Sequence, residues 1–176
     1  MSNVNSVYDV IPAWAASTSY NVYDIVTING AIYYALIKHV STSSFATDLA
    51  ASKWGGRTTF NGEIKPHFFW KPSYNSTTQS EPKIRSIKYG ESYEQRSSDG
   101  INNNLIKASY NFDLRTDNET MAILHFLHVR AAVESFFFSP PRPYGITKKF
   151  ICRQWSETYS FSDNHEIKAN FEEVAN

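Results

Sequence analysis

Two histidines three residues apart could share a metal ion, since His125 and His128 would lie on one side of a helix. A protein metal site needs a further carboxylate, imidazole or thiolate ligand close by, and the sequence shows none near this pair. The pattern therefore favours two histidines on the surface of a helix. We expect no metal and no other cofactor.

Candidate acid, base and nucleophile residues are equally isolated. Glu172 and Glu173 are adjacent, and adjacent side chains on a strand point to opposite faces, so they would not converge on one substrate. Cys152 is the only cysteine, which excludes an internal disulfide and a cysteine-based zinc cage, and its apolar neighbours predict a buried thiol. Phosphate-loop, G-x-S-x-G and H-E-x-x-H motifs are absent from the sequence. We therefore do not expect an enzyme.

Aromatic residues in the first third of the chain could bind sugars, because an aromatic ring face stacks on the C–H groups of a sugar ring. The candidate glycan-contact residues are Trp14, Tyr20, Tyr33, Tyr34 and Trp54. Large aromatic side chains are also what a very small β module needs to build a core. The sequence leaves both roles open.

Composition excludes several functional classes. The 176 residues carry 17 basic and 17 acidic side chains, and this zero net charge argues against a protein that coats nucleic acid or an anionic membrane. Apolar runs are far shorter than the ~20 residues that span a bilayer, and the first residues show no signal-peptide pattern. We expect no sequence-specific nucleic-acid binding, no membrane insertion, and folding in a reducing cytoplasm.

Charge is unevenly distributed along the chain. The first 59 residues hold three basic and three acidic side chains, and the remainder holds 14 of each. Gly55 and Gly56, followed by small polar residues, predict a linker at 55–59. The sequence therefore divides into a small N-terminal β module, 1–56, and a second domain, 57–176.

Strand patterns dominate both parts. In the module, β-rich runs at 24–28 and 31–37 flank Asn29-Gly30, the strongest short signal for a β-hairpin. In the second domain, alternation predicts strands at 84–89 and 105–114, and the final strands are predicted at 149–155 and 165–174. The side chains expected on the buried face of the 105–114 strand are Ala108, Tyr110, Phe112 and Leu114.

One helix interrupts the strands. Thr116 followed by Glu119 is a capping-box pattern, and an apolar stripe at helical spacing continues through Ile123 and Phe126. A short apolar run at 136–138 follows. The fold class expected is mainly β (α+β), with one helix packed on a β-sandwich or barrel.

The module resembles carbohydrate-binding module families 5 and 12 over residues 12–54. The shared positions are Trp14, Tyr20, Asp24, Val26, Gly30, Tyr33, Tyr34, Ala35 and Trp54. Those families usually present exposed tryptophans just after the second strand, where this chain has Leu36-Ile37-Lys38-His39. The resemblance therefore implies the scaffold of a sugar-binding module without its usual platform, and favours a docking or spacer role.

The second domain resembles the minor tail protein M family of phage lambda type, in collinear order over residues 68–176. The segment 82–96, PKIRSIKYGESYEQR, is similar to the V-R-x-V-x-F-G-D-G-Y-x-Q-R signature, with Glu91-Ser92 in place of Asp-Gly. The matching segments that follow are DGINNNL at 99–105, FL at 126–127, SFFFSPP at 135–141, CRQW at 152–155 and ANFEEVAN at 169–176.

This resemblance implies a structural virion protein of a long non-contractile phage tail, with a tail-tube-like fold. It would form a hexameric distal tail ring that joins the tail tube to the tip complex and surrounds the channel for DNA and the tape-measure protein. Its partners would be copies of itself, the tail-tube protein, the tail-tip hub protein and the tape-measure protein. The module would decorate the outside of the ring and dock a side fibre, fill space or contact host glycans.

The polar segment 90–104 suits a hairpin that reaches a neighbouring subunit or the tube ring. The candidate ring-contact residues are Tyr93, Gln95, Arg96, Asp99, Asn102, Asn103 and Asn104. The alternative function is a carbohydrate-binding accessory protein that contacts host surface glycans through the aromatic module, with the second domain as a carrier.

Overall fold

A computed structural model describes residues 3–89 and 93–175. The elements of the N-terminal part are β1 (Ser19–Tyr20), β2 (Ile25–Ile28), β3 (Ala31–Ala35), β4 (His39–Val40), α1 (Phe45–Ala50) and β5 (Trp54–Gly55). Those of the C-terminal part are β6 (Arg57–Phe60), β7 (Glu63–Phe68), β8 (Thr77–Ser80), β9 (Ile84–Lys88), β10 (Glu94–Ser98), β11 (Ile106–Arg115), α2 (Asp117–Arg130), β12 (Phe136–Phe138), β13 (Lys148–Phe161) and β14 (Asn164–Glu173).

The module is built on the predicted hairpin. Asn29 and Gly30 both have positive φ, 50° and 76°, and they connect β2 to β3 in an antiparallel sheet that β5 completes. One face of this sheet holds a small core of four buried residues, Tyr20, Val26, Ala35 and Trp54. Large aromatic side chains thus supply most of the buried surface of a unit with few residues.

The main sheet of the C-terminal part has seven strands, in the order β6-β7-β12-β13-β14-β11-β8. Every described pairing in it is antiparallel except the parallel pair β7–β12. Helix α2 packs on the sheet through Phe126, whose ring contacts those of Phe68 and Phe136 at 5.3 and 5.4 Å, and Ile123 is buried in the same core. The mainly β (α+β) fold class predicted from the sequence is confirmed.

The N-cap half of the predicted capping box forms, whereas the Glu119 carboxylate accepts from Arg115 Nη1 at 2.7 Å. The Thr116 side chain accepts a hydrogen bond from the Glu119 amide. Asp117 and Glu119 lie in the first turn of α2, where their negative charges interact favourably with the positive end of the helix dipole. The helix ends at Arg130, and the C-cap residue Ala131 has a left-handed φ of 42°. Local side-chain chemistry therefore sets the start of this helix.

The predicted linker at 55–59 is wrong. Strand β5 ends at Gly55 and β6 begins at Arg57, so only Gly56 separates the two sheets. Moreover, Ile25 and Tyr34 of the module are buried in the same core as Trp70 and Phe126. The sheets change at the predicted boundary, but the two regions pack against one another through a continuous apolar core.

Leu114 also departs from the prediction. It was expected on the buried face of its strand, whereas its side chain is 74% exposed. The pairing of β11 with β14 is irregular between Phe112 and Arg115, and Leu114 itself has a φ of 57°. A bulge of this kind breaks the two-residue alternation and turns the side chain outward.

Candidate functional site

Strands β9 and β10 form a two-stranded antiparallel sheet of their own, which we call the arm. Ile84 pairs with Ser98 at its base, and Lys88 pairs with Glu94 near its end. Every residue of β9 is exposed, as is every residue of β10 except Glu94. An isolated two-stranded hairpin is only marginally stable in water, so a partner surface is the natural way to stabilise one.

The outer half of one face of the arm is apolar, whereas Arg85 and Ser97 lie on the inner half of that face. Because partners across an antiparallel pair lie on the same face, the register places Ile87, Tyr89 and Tyr93 together. The two tyrosine rings are 5.7 Å apart, and the Tyr89 hydroxyl donates to Gln95 Oε1 at 3.3 Å. All three apolar side chains are about half exposed or more, at 49%, 50% and 65%. The structure thus leaves a cluster of large apolar side chains uncovered.

The opposite face of the arm is polar beyond Ile84 at its base. Arg96 donates to Glu94 Oε2 at 2.9 Å, and Lys88 lies beside this ion pair in the register. The hydrogen bond from Arg96 holds the pKa of Glu94 below its ordinary value. The arm is therefore amphipathic, with an apolar face made by Ile87, Tyr89 and Tyr93.

Hydrogen bonds to the chain that follows β10 fix the base of the arm. The Lys83 amide donates to the Asn103 carbonyl at 2.7 Å, and the Asp99 amide donates to the Lys83 carbonyl at 3.0 Å. The Ser80 hydroxyl bonds Asn104 Oδ1. Asn102 lines a groove of about 890 Å³ under this base.

The candidate ring-contact residues therefore fall into two groups. Tyr93, Gln95 and Arg96 lie on the arm itself, whereas the remaining candidates, Asp99, Asn102, Asn103 and Asn104, lie at its base. The predicted turn at Gly90, Glu91 and Ser92 lies outside the described residues. Ile87 and Tyr89 were not among the predicted contact residues, although the alternation of β9 could have placed them beside Tyr93.

The candidate glycan-contact residues are mostly internal. Tyr20, Tyr34 and Trp54 are buried, and their ring faces are covered by protein. Trp14 and Tyr33 are half-buried, and both pack edge-on against Phe45. Glycan contact remains a prediction, and in this conformation it would rest on Trp14 and Tyr33.

His125 is not on the surface, which corrects the prediction for the histidine pair. It is buried, and its Nδ1 lies 3.2 Å from the Tyr34 hydroxyl. Burial lowers the pKa of His125 to about 4. His128 is exposed and contacts the edge of the Tyr8 ring. Within residues 3–89 and 93–175, no group of three or more His, Cys, Asp or Glu side chains could hold a metal ion.

The other candidate chemical groups have structural partners. Glu172 accepts from Arg153 at 2.9 Å, and Glu173 accepts from Lys148 at 2.8 Å. Cys152 is buried as predicted, and burial raises the pKa of its thiol to about 12. The carboxylates of Glu172 and Glu173 therefore act as ion-pair partners. The Cys152 thiol, with its raised pKa, is almost entirely protonated at neutral pH.

His165, which was not among the residues singled out from the sequence, lies between two carboxylates. His165 Nε2 is 2.8 Å from Asp117 Oδ1, and Nδ1 is 2.5 Å from Glu157 Oε1. Partial burial alone would lower the pKa of His165, but the hydrogen bonds to Glu157 and Asp117 outweigh it and raise the pKa above its ordinary value. This cluster joins the start of α2 to strands β13 and β14.

The region that carries the arm matches the model of a known protein family. The family model described as phage minor tail protein matches residues 66–175, which is more than half of the chain. The chain belongs to the phage minor tail protein family. The matched region contains the arm, α2 and the last three strands of the sheet, whereas the module lies before it.

Two curated relatives carry the same kind of name. The chain is 32% identical over 110 residues to tail tip protein M of Escherichia phage lambda, a match that covers 62% of this chain and 97% of the relative. It is 34% identical over 76 residues to tail tip protein M of Escherichia phage N15, covering 42% of this chain and 64% of the relative. Because the match covers 97% of the lambda relative, almost no residues of that protein remain that could form a counterpart of the module.

Family membership makes this protein a structural component of the phage tail tip and hence of the virion. None of the helices formed by the described residues has both the length and the apolar character needed to cross a membrane.

Proposed function

We propose that this protein forms a distal ring of a long non-contractile phage tail. The ring would join the tail tube to the tip complex and surround the channel for DNA and the tape-measure protein. The observation that carries the proposal is the uncovered apolar face of the arm, Ile87, Tyr89 and Tyr93, in a member of a tail protein family.

The chemistry of this face suits a permanent protein contact. Tyrosine is enriched at the centres of interfaces, where its ring is buried and its hydroxyl bonds at the rim. A ring requires a head-to-tail contact that closes after a fixed rotation, so each subunit needs a projecting element and a different receiving surface. The arm supplies the projecting element, and its polar face with Glu94 and Arg96 would remain hydrated.

The assembly expected is a homohexamer that contacts the tail-tube protein, the tail-tip hub protein and the tape-measure protein. The module would lie on the outside of the ring, where it docks a side fibre or fills space around the tip. Contact with host glycans would depend on Trp14 and Tyr33, the two half-buried rings among the five candidates.

The test compares the two faces of the arm in phage that carry the gene for the variant protein. Ile87→Ser combined with Tyr89→Ser removes two of the three apolar side chains from the apolar face, whereas Lys88→Ser combined with Arg96→Ser alters the polar face of the same strands. We expect the first variant to be folded but absent from virions, and the second to be incorporated in a sixfold ring.

Electron microscopy of virions and mass photometry of the purified proteins provide the readouts. Normal sixfold rings at the tube–tip junction in the apolar-face variant would contradict the proposed role of the arm. Native protein absent from the particle altogether would contradict the ring proposal itself.

A further inference from the structure

A small cleft with two guanidinium groups lies where the module meets the end of α2. Its volume is about 130 Å³. Its walls come from the β2–β3 hairpin of the module, from strands β6 and β7, and from the end of α2 and the residues after it. The lining residues are Gly30, Ala31, Ile32, Arg57, Pro66, Val129, Arg130 and Glu134.

Arg130 brings a buried positive charge to this cleft. Its side chain is only 5% exposed, its Nη1 donates to the Phe126 carbonyl at 2.8 Å, and its guanidinium carbon lies 3.6 Å from the centre of the Phe126 ring. Its Nε is buried and has no hydrogen-bond partner in the described part of the chain. The Glu134 carboxylate oxygen Oε2 is 3.9 Å from that Nε, too far for a hydrogen bond.

Arg57 adds a second positive charge at the mouth of the cleft. It is the first residue of β6, its side chain is exposed, and it is close enough to Arg130 for the two charges to repel. Arg57 makes no ion pair with any residue in the ranges 3–89 and 93–175. Two cations therefore share the cleft with a single carboxylate, Glu134, which is half exposed.

We propose that this cleft binds an oxyanion, a phosphate or a carboxylate group, between Arg57 and Arg130. A buried charge is expected to be paired, and the carboxylate beside Arg130, that of Glu134, lies beyond hydrogen-bond distance of its Nε. A guanidinium group presents its donors in a planar fork that matches the oxygens of a phosphate or carboxylate. The small residues Gly30 and Ala31 on the opposite wall leave room for such a ligand, since a Cβ added at Gly30 would meet no atom within 4 Å.

The site requires residues of the module as well as residues of the region that the family model matches, 66–175, which we call the family domain. Gly30, Ala31 and Arg57 precede the region matched by the family model, whereas Arg130 lies within it. The ligand would therefore bridge the two parts of the chain. This inference does not depend on the ring proposal, because it concerns a cleft within one subunit.

The experiment follows the arginine side-chain Nε–H signals of the full chain by NMR during titration with inorganic phosphate and, separately, with acetate. Sodium chloride at the same ionic strength is the control for general screening. We expect saturable shifts of the Arg130 signal with phosphate or acetate but not with chloride, and the two titrations tell a phosphate site from a carboxylate site.

Variants then test the assignment. Arg57→Gln should weaken binding about tenfold, because it removes a charged donor from an exposed position where folding is unaffected. Arg85→Gln, an exposed arginine on the arm, should bind like the native chain, and Glu134→Gln should bind more tightly because a competing carboxylate is removed. Shifts that follow only ionic strength, or equal binding by the Arg57 and Arg85 variants, would overturn the proposal.

Discussion

Tyr34 Oη and His125 Nδ1 lie 3.2 Å apart in the interior of the protein, although the two residues are 91 positions apart in sequence. Tyr34 belongs to β3 of the module, and His125 belongs to α2 of the family domain. The Tyr34 ring also packs against Trp70 and Phe126. The module is therefore joined to the family domain by a polar contact inside a shared apolar core.

Tyr34→Phe should destabilise both parts of the chain together. The change removes the hydroxyl and leaves Nδ1 of His125 buried without its partner, which costs about 1–3 kcal/mol. We expect one cooperative transition in denaturant, shifted to lower concentration, when the module and the domain are followed by separate probes. Tyr74→Phe, at a position 94% exposed, is the control and should leave the transition unchanged. Two separate transitions would show that the shared core does not couple the parts.

His125 should make the protein sensitive to acid. Burial lowers its pKa to about 4, below the ordinary value of 6.5. The unfolded chain then binds a proton that the folded chain does not, so stability is full above about pH 6.5 and falls as the pH falls towards 4, by about 3 kcal/mol. Denaturant titrations at several pH values should show this slope, and His125→Gln should reduce it. The exposed His128→Gln should retain it, and an unchanged slope in His125→Gln would contradict the assignment.

His165 should act in the opposite direction. Its pKa is raised above 6.5 because the hydrogen bonds to Glu157 and Asp117 outweigh partial burial. The stabilisation is therefore full below about pH 6.5 and is lost as the pH rises through the raised pKa. An NMR titration of the His165 ring should give a midpoint above 6.5. Replacing both Asp117 with Asn and Glu157 with Gln should lower that midpoint, and no change in the double variant would refute the explanation.

Gly56→Ala should disrupt the junction between the two sheets. Gly56 has a φ of 138°, and an added Cβ would lie 2.8 Å from the Ile32 carbonyl oxygen. We expect a loss of at least about 2 kcal/mol from backbone strain and this clash. Gly62→Ala is a matched control, since Gly62 also has a positive φ, 77°, but an added Cβ there meets nothing within 4 Å. Thermal unfolding should show a clearly lower melting temperature for Gly56→Ala than for Gly62→Ala. Equal losses of stability in the two variants would show that the contact with the Ile32 carbonyl adds nothing to the cost of a positive φ.

The apolar face of the arm should contribute little to the stability of the single subunit. Tyr89→Ser changes a side chain that is 50% exposed, so we expect the free energy of unfolding to change by no more than about 0.5 kcal/mol. Phe171→Ala, in the centre of the core, should cost about 3–5 kcal/mol. Comparable losses from the two changes would show that the arm is part of the folding core.

Features that depend on neighbouring residues could be predicted from the sequence. The turn at Asn29-Gly30 forms because both residues tolerate positive φ, and α2 begins after Thr116 because its side chain accepts the Glu119 amide. Alternation placed β9 and most of β11 correctly. It failed at Leu114, where a bulge rotates one side chain, and at 55–59, where two glycines lie in and between strands instead of forming a linker.

The candidate site was predicted in part. Polar composition indicated a projecting hairpin near Tyr93, Gln95 and Arg96, but the apolar residues Ile87 and Tyr89 looked like ordinary strand residues. Whether an apolar side chain is covered depends on which other elements pack against it, and alternation along one strand carries no such information. The exposed face of the arm is therefore a property of the folded chain.

The sequence by itself determined the fold class, the family resemblance and the local start and turn signals, because each depends on residue types at fixed short spacings. Tertiary structure decided that Tyr34 and Trp54 are internal, that His125 is buried beside Tyr34, and that His165 lies between two carboxylates. These contacts join residues far apart in the chain, so their burial and pKa values are set by packing between elements.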